Sequence, residues 1–260
     1  MTSDPAELVD GRSAVYEVLR AGRRGVRRIL LAEGAAEKGR LAQILSLARQ
    51  REIPTQRLSR HELDRLSSHH HGIAAEVDPY PFVVLDEILA RAAASAEPAL
   101  VLILDLIQDP QNLGALLRTA EAVGAHGVVV PRRGAAGMTR AVVRTSAGAC
   151  EHLLIAQANL AQAMTELKEA GLWMLGLENS PQARPLDEAD LKGPLALVVG
   201  SEGEGLRHLV RRTCDMLVRL PMRGKVESLN AAVAGSLALY AAWRARTLTP
   251  PGSPGKLSDC

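Results

Sequence analysis

The 260-residue chain reads as an α/β protein whose main body is a parallel sheet. Three observations predict this. From 99 to 246, short apolar runs alternate with segments of helical periodicity, the pattern of strands joined by crossover helices. The runs at 100–105 and 195–200 are apolar at almost every position, as in strands buried on both faces. Three runs end in polar or glycine-rich loops: Leu104-Asp105 before Asp109-Pro110-Gln111-Asn112-Leu113-Gly114, Val199 before Gly200-Ser201-Glu202-Gly203-Glu204-Gly205, and Leu220-Pro221-Met222 before Glu227-Ser228-Leu229-Asn230. Loops at the carboxyl ends of strands are where an open α/β sheet holds its ligand.

Taken in order, residues 1–77 read as a separate small α/β unit. A helix is expected over Ser13–Leu19 and a strand over Val26–Leu31. The next helix, over Ala36–Arg49, carries Leu41, Ile44, Leu45 and Ala48 at helical spacing. A strand over Ile53–Leu58, a short helix over Glu62–Leu66 and a strand over Gly72–Val77 complete the unit. Asp78-Pro79-Tyr80-Pro81 marks a boundary, since its prolines break both ladder and helix. Residues 78–98, with a helix over Leu85–Ala94, are expected to form a linker. Beyond it, strands are expected at 100–105, 127–131, 152–156, 173–178, 195–200 and 216–220. The helices lie near 113–123, 139–147, 159–170, 205–213 and 228–246. Residues 247–260, rich in Pro, Gly and Ser, read as a mobile tail.

On the last helix, Leu229, Val233, Leu237 and Tyr240 fall on one stripe, expected to face the domain's own core. The opposite side carries Ala231, Gly235, Ala238 and Ala242. So small a face is expected to pack against another helix, of this chain or of a second copy in a homodimer.

Composition narrows the function classes. The net charge of +2 argues neither for nor against nucleic acid. Its distribution offers Arg20, Arg23, Arg24, Arg27 and Arg28, a local footprint for phosphates or else a solvated turn. Aromatic content of 2%, with Phe82 the single phenylalanine, argues against RNA modules that stack bases on aromatic platforms. Cys150, Cys214 and Cys260 lack metal-ligand spacing, and His69-His70-His71 reads as a solvated loop, so no metal is expected. Without an 18-residue apolar run or a leader pattern, the chain is expected to be soluble and cytoplasmic, with no membrane partner.

The loop Gly200–Gly205 lacks the lysine of a P-loop, and its glycine order is not the dinucleotide fingerprint. Glu202 and Glu204 stand where a pyrophosphate would sit. They repel an anion and suit a neutral or cationic ligand such as a sulfonium.

The three motifs, with Arg118-Thr119-Ala120, resemble in order and separation the signatures of SpoU-type (TrmH-like) RNA ribose 2′-O-methyltransferases. The likeness covers 99–246, and it is nearest to the RlmB-like branch acting on a guanosine of 23S ribosomal RNA. Gly11-Arg12-Ser13-Ala14-Val15 and Gly72-Ile73-Ala74-Ala75 resemble the family's substrate-binding domain, which has a ribosomal-protein-like fold. Ser13 departs from that branch, which commonly carries histidine there. The resemblance implies a SPOUT fold with a C-terminal trefoil knot, S-adenosylmethionine as cofactor, RNA as substrate and a homodimer.

The same likeness implies that Val199, Gly200, Leu220, Met222 and Leu229 line the adenosine pocket, and that Asn112, Arg118, Glu202, Ser228 and Asn230 carry the chemistry. For Asn112 the residues alone also allow an N-cap, and for Arg118 an i, i+3 pair with Glu121. A guanidinium has no acceptor and keeps its proton, so Arg118 is expected to clamp a phosphate and stabilise the 2′-oxyanion rather than act as base. The phosphate, water and Glu202 all stay open as the proton's destination. Alternatives are the same chemistry on transfer RNA or on an antibiotic-target adenosine, and a non-catalytic RNA-binding or assembly protein.

Overall fold

The computed structural model describes residues 6–226 and 228–247. Glu227 of the polar elbow and the tail from 248 to 260, with Cys260, lie outside the described residues.

The first sheet holds β1 (Glu7–Asp10), β2 (Val26–Ala32), β3 (Thr55–Leu58) and β4 (Ile73–Val77), in the order β1-β4-β2-β3. β4 runs antiparallel to both neighbours, while β3 is parallel to β2. Around it lie α1 (Arg12–Ala21), α2 (Arg40–Gln50) and α3 (Arg60–Leu66). α2 starts at Arg40, later than its apolar period implies, because Gly39 precedes it at a φ of 56° and cannot continue a helix backwards. A reciprocal Ser59–Glu62 capping box starts α3. β1 went unforeseen, since four residues with two charges carry almost no strand signal.

The second sheet has seven strands, all parallel, in the order β7-β6-β5-β10-β8-β11-β9. They are β5 (Leu100–Asp105), β6 (Gly127–Pro131), β7 (Ile155–Ala158), β8 (Trp173–Leu177), β9 (Arg184–Pro185), β10 (Leu195–Gly200) and β11 (Met216–Arg219). The helices are α4 (Leu85–Ala93), α5 (Pro110–Ala122), α6 (Arg140–Thr145), α7 (Leu160–Glu169), α8 (His208–Thr213) and α9 (Ala231–Thr247). Alternation along β5 explains the continuous apolar run. Leu100, Leu102 and Leu104 enter the core shared with α5 and α9, while Val101 and Ile103 enter the core under α4, α7 and α8.

The five arginines of 20–28 do not form a free footprint. Arg24 is buried in an ion pair with Glu151, both side chains 1% exposed, and also reaches Glu7. Arg23 donates to the carbonyls of Leu153 and Pro81, and Arg27 pairs with Asp78 at 2.9 Å. Arg28 holds Glu76 at 2.6 Å and Arg20 lies 3.5 Å from Glu17. The carboxylates that claim them are scattered from Glu7 to Glu151, so the linear sequence hides them. Of these contacts, Arg23 to Leu153 and Arg24 to Glu151 join the two units, and His152 adds a bond to Glu17 at 2.8 Å. They also displace the expected strand at 152–156: Ala149–His152 is a 3-10 turn held against α1, and the strand begins at Ile155.

The stretch 78–98 is packed against the larger sheet. Tyr80 is buried and donates to the carbonyl of Cys150 at 2.7 Å, Val83 bridges Ala156, and Ile88 fills the space that the missing Cβ of Gly127 leaves. In the histidine loop His69 and His71 are exposed, as expected, and only the middle residue turns inward. His70 is buried, its Nδ1 accepting from the amide of Gly72, so Nε2 carries the proton toward Asp64 at 2.8 Å.

On α9 the small face packs, as one of its two readings had it, against a helix of this chain, but the apolar stripe expected to face the core is turned outward. Ala231, Gly235, Ala238 and Ala242 are buried, whereas Leu229, Val233, Leu237 and Tyr240 are 38%, 49%, 50% and 53% exposed. The cause is close approach. A Cβ on Gly235 would lie 2.5 Å from Cδ2 of Leu116 on α5 and 3.1 Å from Cγ2 of Val199 on β10. Only small residues let α9 settle there, and the large apolar side chains are left outside.

Candidate active site

At the carboxyl ends of β8, β10 and β11 the chain encloses a cavity of 1260 Å³. Val199, Gly200, Leu220, Met222 and Leu229 all line it, so five residues distant in sequence share one wall system. The glycine-rich loop is shaped by its backbone. Ser201 and Gly205 exchange both amide bonds, at 3.1 and 3.0 Å, folding Glu202, Gly203 and Glu204 into a tight turn. Gly200 permits this because any Cβ there would enter the backbone of Gly205. The base of the loop is tied to β5. Asp105, fully buried, accepts from the amide of Arg207 at 2.8 Å and from its Nε at 2.7 Å. The sequence placed Asp105 at the end of a strand in the first motif but showed neither its anchoring role nor Arg207. Their signal was an acidic residue closing an apolar strand that is buried on both faces.

After Asp105 the chain turns sharply at Leu106, whose φ of 57° is left-handed, and enters α5. Asp109, not Asn112, is the N-cap, accepting from the amide of Gln111 at 3.0 Å, with Pro110 in the first helical position. Asn112 lies inside the first turn and is buried. Asn230 meets it there. Its Nδ2 donates to Oδ1 of Asn112 at 3.0 Å and to Oε1 of Glu202. Its own Oδ1 caps α9, accepting from the amides of Ala232 and Val233 at 2.9 and 3.1 Å. Asn112, Glu202 and Asn230 thus converge from three separate motifs, and of these Glu202, with Ser228, lines the cavity.

Arg118 stands apart. It is exposed on α5 and, with Thr119, Tyr240 and Trp243, lines a separate 260 Å³ hollow beside the apolar stripe of α9. Among the described residues no ion pair joins it to Glu121. Thr119 bonds Ser236 of α9 at 2.9 Å instead, holding the two helices together.

The cavity fits S-adenosylmethionine. Its walls supply apolar side chains for an adenosine and backbone groups from strand ends for its polar edge, while Glu202 and Glu204 lie where a sulfonium is favoured.

Residues 99–240 match the SpoU rRNA Methylase family, and residues 8–83 match the domain described as RNA 2′-O ribose methyltransferase substrate binding. The chain belongs to the SpoU family. A relative from Bacillus subtilis, a putative TrmH family tRNA/rRNA methyltransferase named YacO, is 42% identical over 246 residues, covering 94% of this chain and 98% of its own. The SpoU methyltransferase AviRb from Streptomyces viridochromogenes, solved with AdoMet, superposes with a TM-score of 0.78 at 27% identity, over 93% of this chain and 91% of its own. A solved RNA 2′-O ribose methyltransferase gives a TM-score of 0.77 at 29% identity, over 95% and 91%. The SpoU chain is therefore an RNA 2′-O-methyltransferase dependent on S-adenosylmethionine. None of its described helices is long and apolar enough to cross a membrane.

Proposed function

We propose that the chain methylates the ribose 2′-hydroxyl of one guanosine in 23S ribosomal RNA, with the cofactor held by Val199, Gly200, Leu220, Met222 and Leu229. The observation that carries this reading is the pair of bonds by which Asn230 joins Asn112 to Glu202, a residue that lines the cavity. The family description, which names ribosomal RNA, favours that substrate, while the substrate-binding segment supports RNA without choosing its kind. When bound, S-adenosylmethionine would supply a methyl group on a sulfonium sulfur, which leaves as a neutral thioether. Asn230 orients both partners: it fixes the carboxylate of Glu202 and the amide of Asn112, whose Nδ2 is left to hold the ribose. Glu202 takes the 2′-proton as the oxygen attacks, and Ser228 closes the site beside the loop. The contribution of the protein is alignment of the two reactants.

Arg118 completes the site from a second copy. The exposed stripe Leu229, Val233, Leu237 and Tyr240, with Trp243 against Tyr240 at 5.0 Å between rings, is the kind of face that a monomer seldom leaves open. A twofold partner covers it, and Arg118, at its edge, reaches the partner's cavity to clamp the phosphate and the developing oxyanion. The order β5-β10-β8-β11, with α9 returning onto α5, supports reading the C-terminal part as the trefoil knot of the SPOUT fold.

The test is methyl transfer. The protein is mixed with radiolabelled cofactor and either ribosomal RNA fragments or a transfer RNA pool, and the modified ribose is mapped. Label confined to one 23S guanosine is expected. Label in transfer RNA or on an adenosine moves the target, and no label in any RNA overturns the reading.

A further inference from the structure

Between Glu121 and Glu151 the chain carries Arg132, Arg133, Arg140 and Arg144 but no Asp or Glu. In a chain of net charge +2 this is a local excess of cations.

The fold leaves most of that excess in place. Arg144 turns to Asp10, at 3.9 Å. Arg132, Arg133 and Arg140 are exposed, and none of them has an acidic partner among the described residues. Arg132 donates to the carbonyl of Gln157 at 3.4 Å and Arg140 to that of Leu66 at 2.8 Å. Both acceptors are neutral, so the charges stay uncompensated.

Their position gives the charge a use. Arg132 and Arg133 directly follow β6, so they stand at the carboxyl end of the parallel sheet, the end that holds the cavity. Their loop is laid against the first motif. The amide of Ala136 donates to the carbonyl of Ile107 at 3.0 Å, and a Cβ on Gly134 would lie 2.9 Å from Cδ2 of Leu106. Buried Met138 anchors the loop in the core. Leu106 and Ile107 lead into the first turn of α5, where Asn112 meets Asn230. The single acidic residue of that adjoining loop, Asp109, caps α5, and Asp105 before it is paired with Arg207. At the other end, Arg140 rests on Leu66, the last residue of α3, inside the segment matched as substrate-binding. The three arginines therefore run from the smaller unit to the loop beside Asn112.

We propose that Arg132, Arg133 and Arg140 form a phosphate ridge on the catalytic unit, holding the RNA backbone between the smaller unit and the target ribose. The reacting hydroxyl must be held in line with the methyl group, and a grip on a remote part of the RNA leaves that nucleotide free to swing. Arginine suits the task, because its planar fork bridges the two unesterified oxygens of a phosphodiester. Such contacts position the strand and leave the choice of nucleotide to others. The inference rests on the RNA methyltransferase reading above and adds where the catalytic unit grips its substrate.

The experiment uses the full chain, radiolabelled cofactor and the ribosomal RNA fragment that the wild type labels, with RNA affinity measured between about 50 and 200 mM salt. Arg132→Ala/Arg133→Ala is expected to raise the KM for RNA about tenfold and to lower the salt slope by about two, one for each lost phosphate contact. Arg140→Ala should lower it by about one. The kcat and the KM for S-adenosylmethionine should stay within about 2-fold, as for a contact that binds without reacting. Arg132→Lys/Arg133→Lys keeps the charge and should keep most of the slope. A fragment with neutral methylphosphonate linkages around the target ribose should bind the wild type weakly, and the double alanine variant no more weakly, since both changes remove the same contacts. Arg212→Ala is the control. This arginine is exposed at the end of α8, where the chain turns back toward the start of β11, and its loss should change neither constant. Wild-type KM and slope in Arg132→Ala/Arg133→Ala overturn the ridge, as does an equal fall in Arg212→Ala. Losses that add between the methylphosphonate fragment and the double alanine variant overturn its placement beside the target. A wild type that labels no RNA overturns the functional reading itself.

Discussion

At the scale of single residues, the glycine-rich loop proposed to hold the cofactor is shaped by two positions, Gly200 and Asp105. Gly200 passes so close to Gly205 that a methyl group cannot be accommodated without opening the turn. Gly200→Ala is therefore expected to abolish binding of S-adenosylmethionine by calorimetry, with little loss of melting temperature, because the distortion stays in an exposed loop. Asp105 anchors the other end. Asp105→Asn keeps one acceptor for the amide of Arg207 but loses the ion pair, and the KM for the cofactor should rise about tenfold, the scale of one charge-assisted bond. The KM for RNA should not move. Equal changes in both constants would mean that Asp105 acts only through general stability. The sequence showed the glycine-rich loop and its acidic residues, but not this anchor, because Arg207 lies 102 positions from its partner.

At the scale of elements, α9 separates two kinds of small-to-large or apolar-to-charged change. Gly235→Leu acts inside the chain, where the added side chain meets Leu116 and Val199. It should destabilise the fold by ~1–3 kcal/mol or more, through overpacking, at any protein concentration. Leu237→Glu acts on the exposed stripe, so the fold should survive while light scattering shows monomer and methyl transfer is lost. A monomeric wild type with full activity would remove the role given to Arg118. The periodicity of α9 was legible in the sequence; its orientation was not. Hydrophobicity alone turns the stripe of Leu and Val inward, whereas the depth available above α5 and β10 decides otherwise. The strands of the parallel sheet were legible for the converse reason. Burial on both faces leaves an unbroken apolar run; the two-residue β9 carries no such run and was missed, and β7 is displaced because its preceding turn is seized by charges from another unit.

At the scale of the whole molecule, the two sheets are fastened through a dry charge pair. Removing one partner strands the other, so Arg24→Met should cost about 3–5 kcal/mol in denaturant unfolding, and Arg24→Met/Glu151→Leu should recover most of it. A double variant no better than the single would show that the pair itself holds the interface. His126 adds a dependence on pH. Its Nδ1 accepts from the amide of Leu100 at 3.0 Å, and burial holds its pKa below the ordinary histidine value. The unfolded chain takes up that proton near pH 6.5 while the folded chain resists it, so stability is full above this pH and declines as the pH falls through it. His126→Asn keeps an acceptor and should flatten the fall in melting temperature between pH 7.5 and 5.5. The buried Arg24–Glu151 pair also bears on protein engineering. A chimera that exchanged residues 1–77 between two homologues to retarget methylation would give the new head a foreign socket. The graft needs a second, non-contiguous piece, the turn at 149–153 that receives Arg23 and Arg24. Recombination libraries that keep these two segments from one parent should yield folded enzymes far more often than libraries cut at the linker alone.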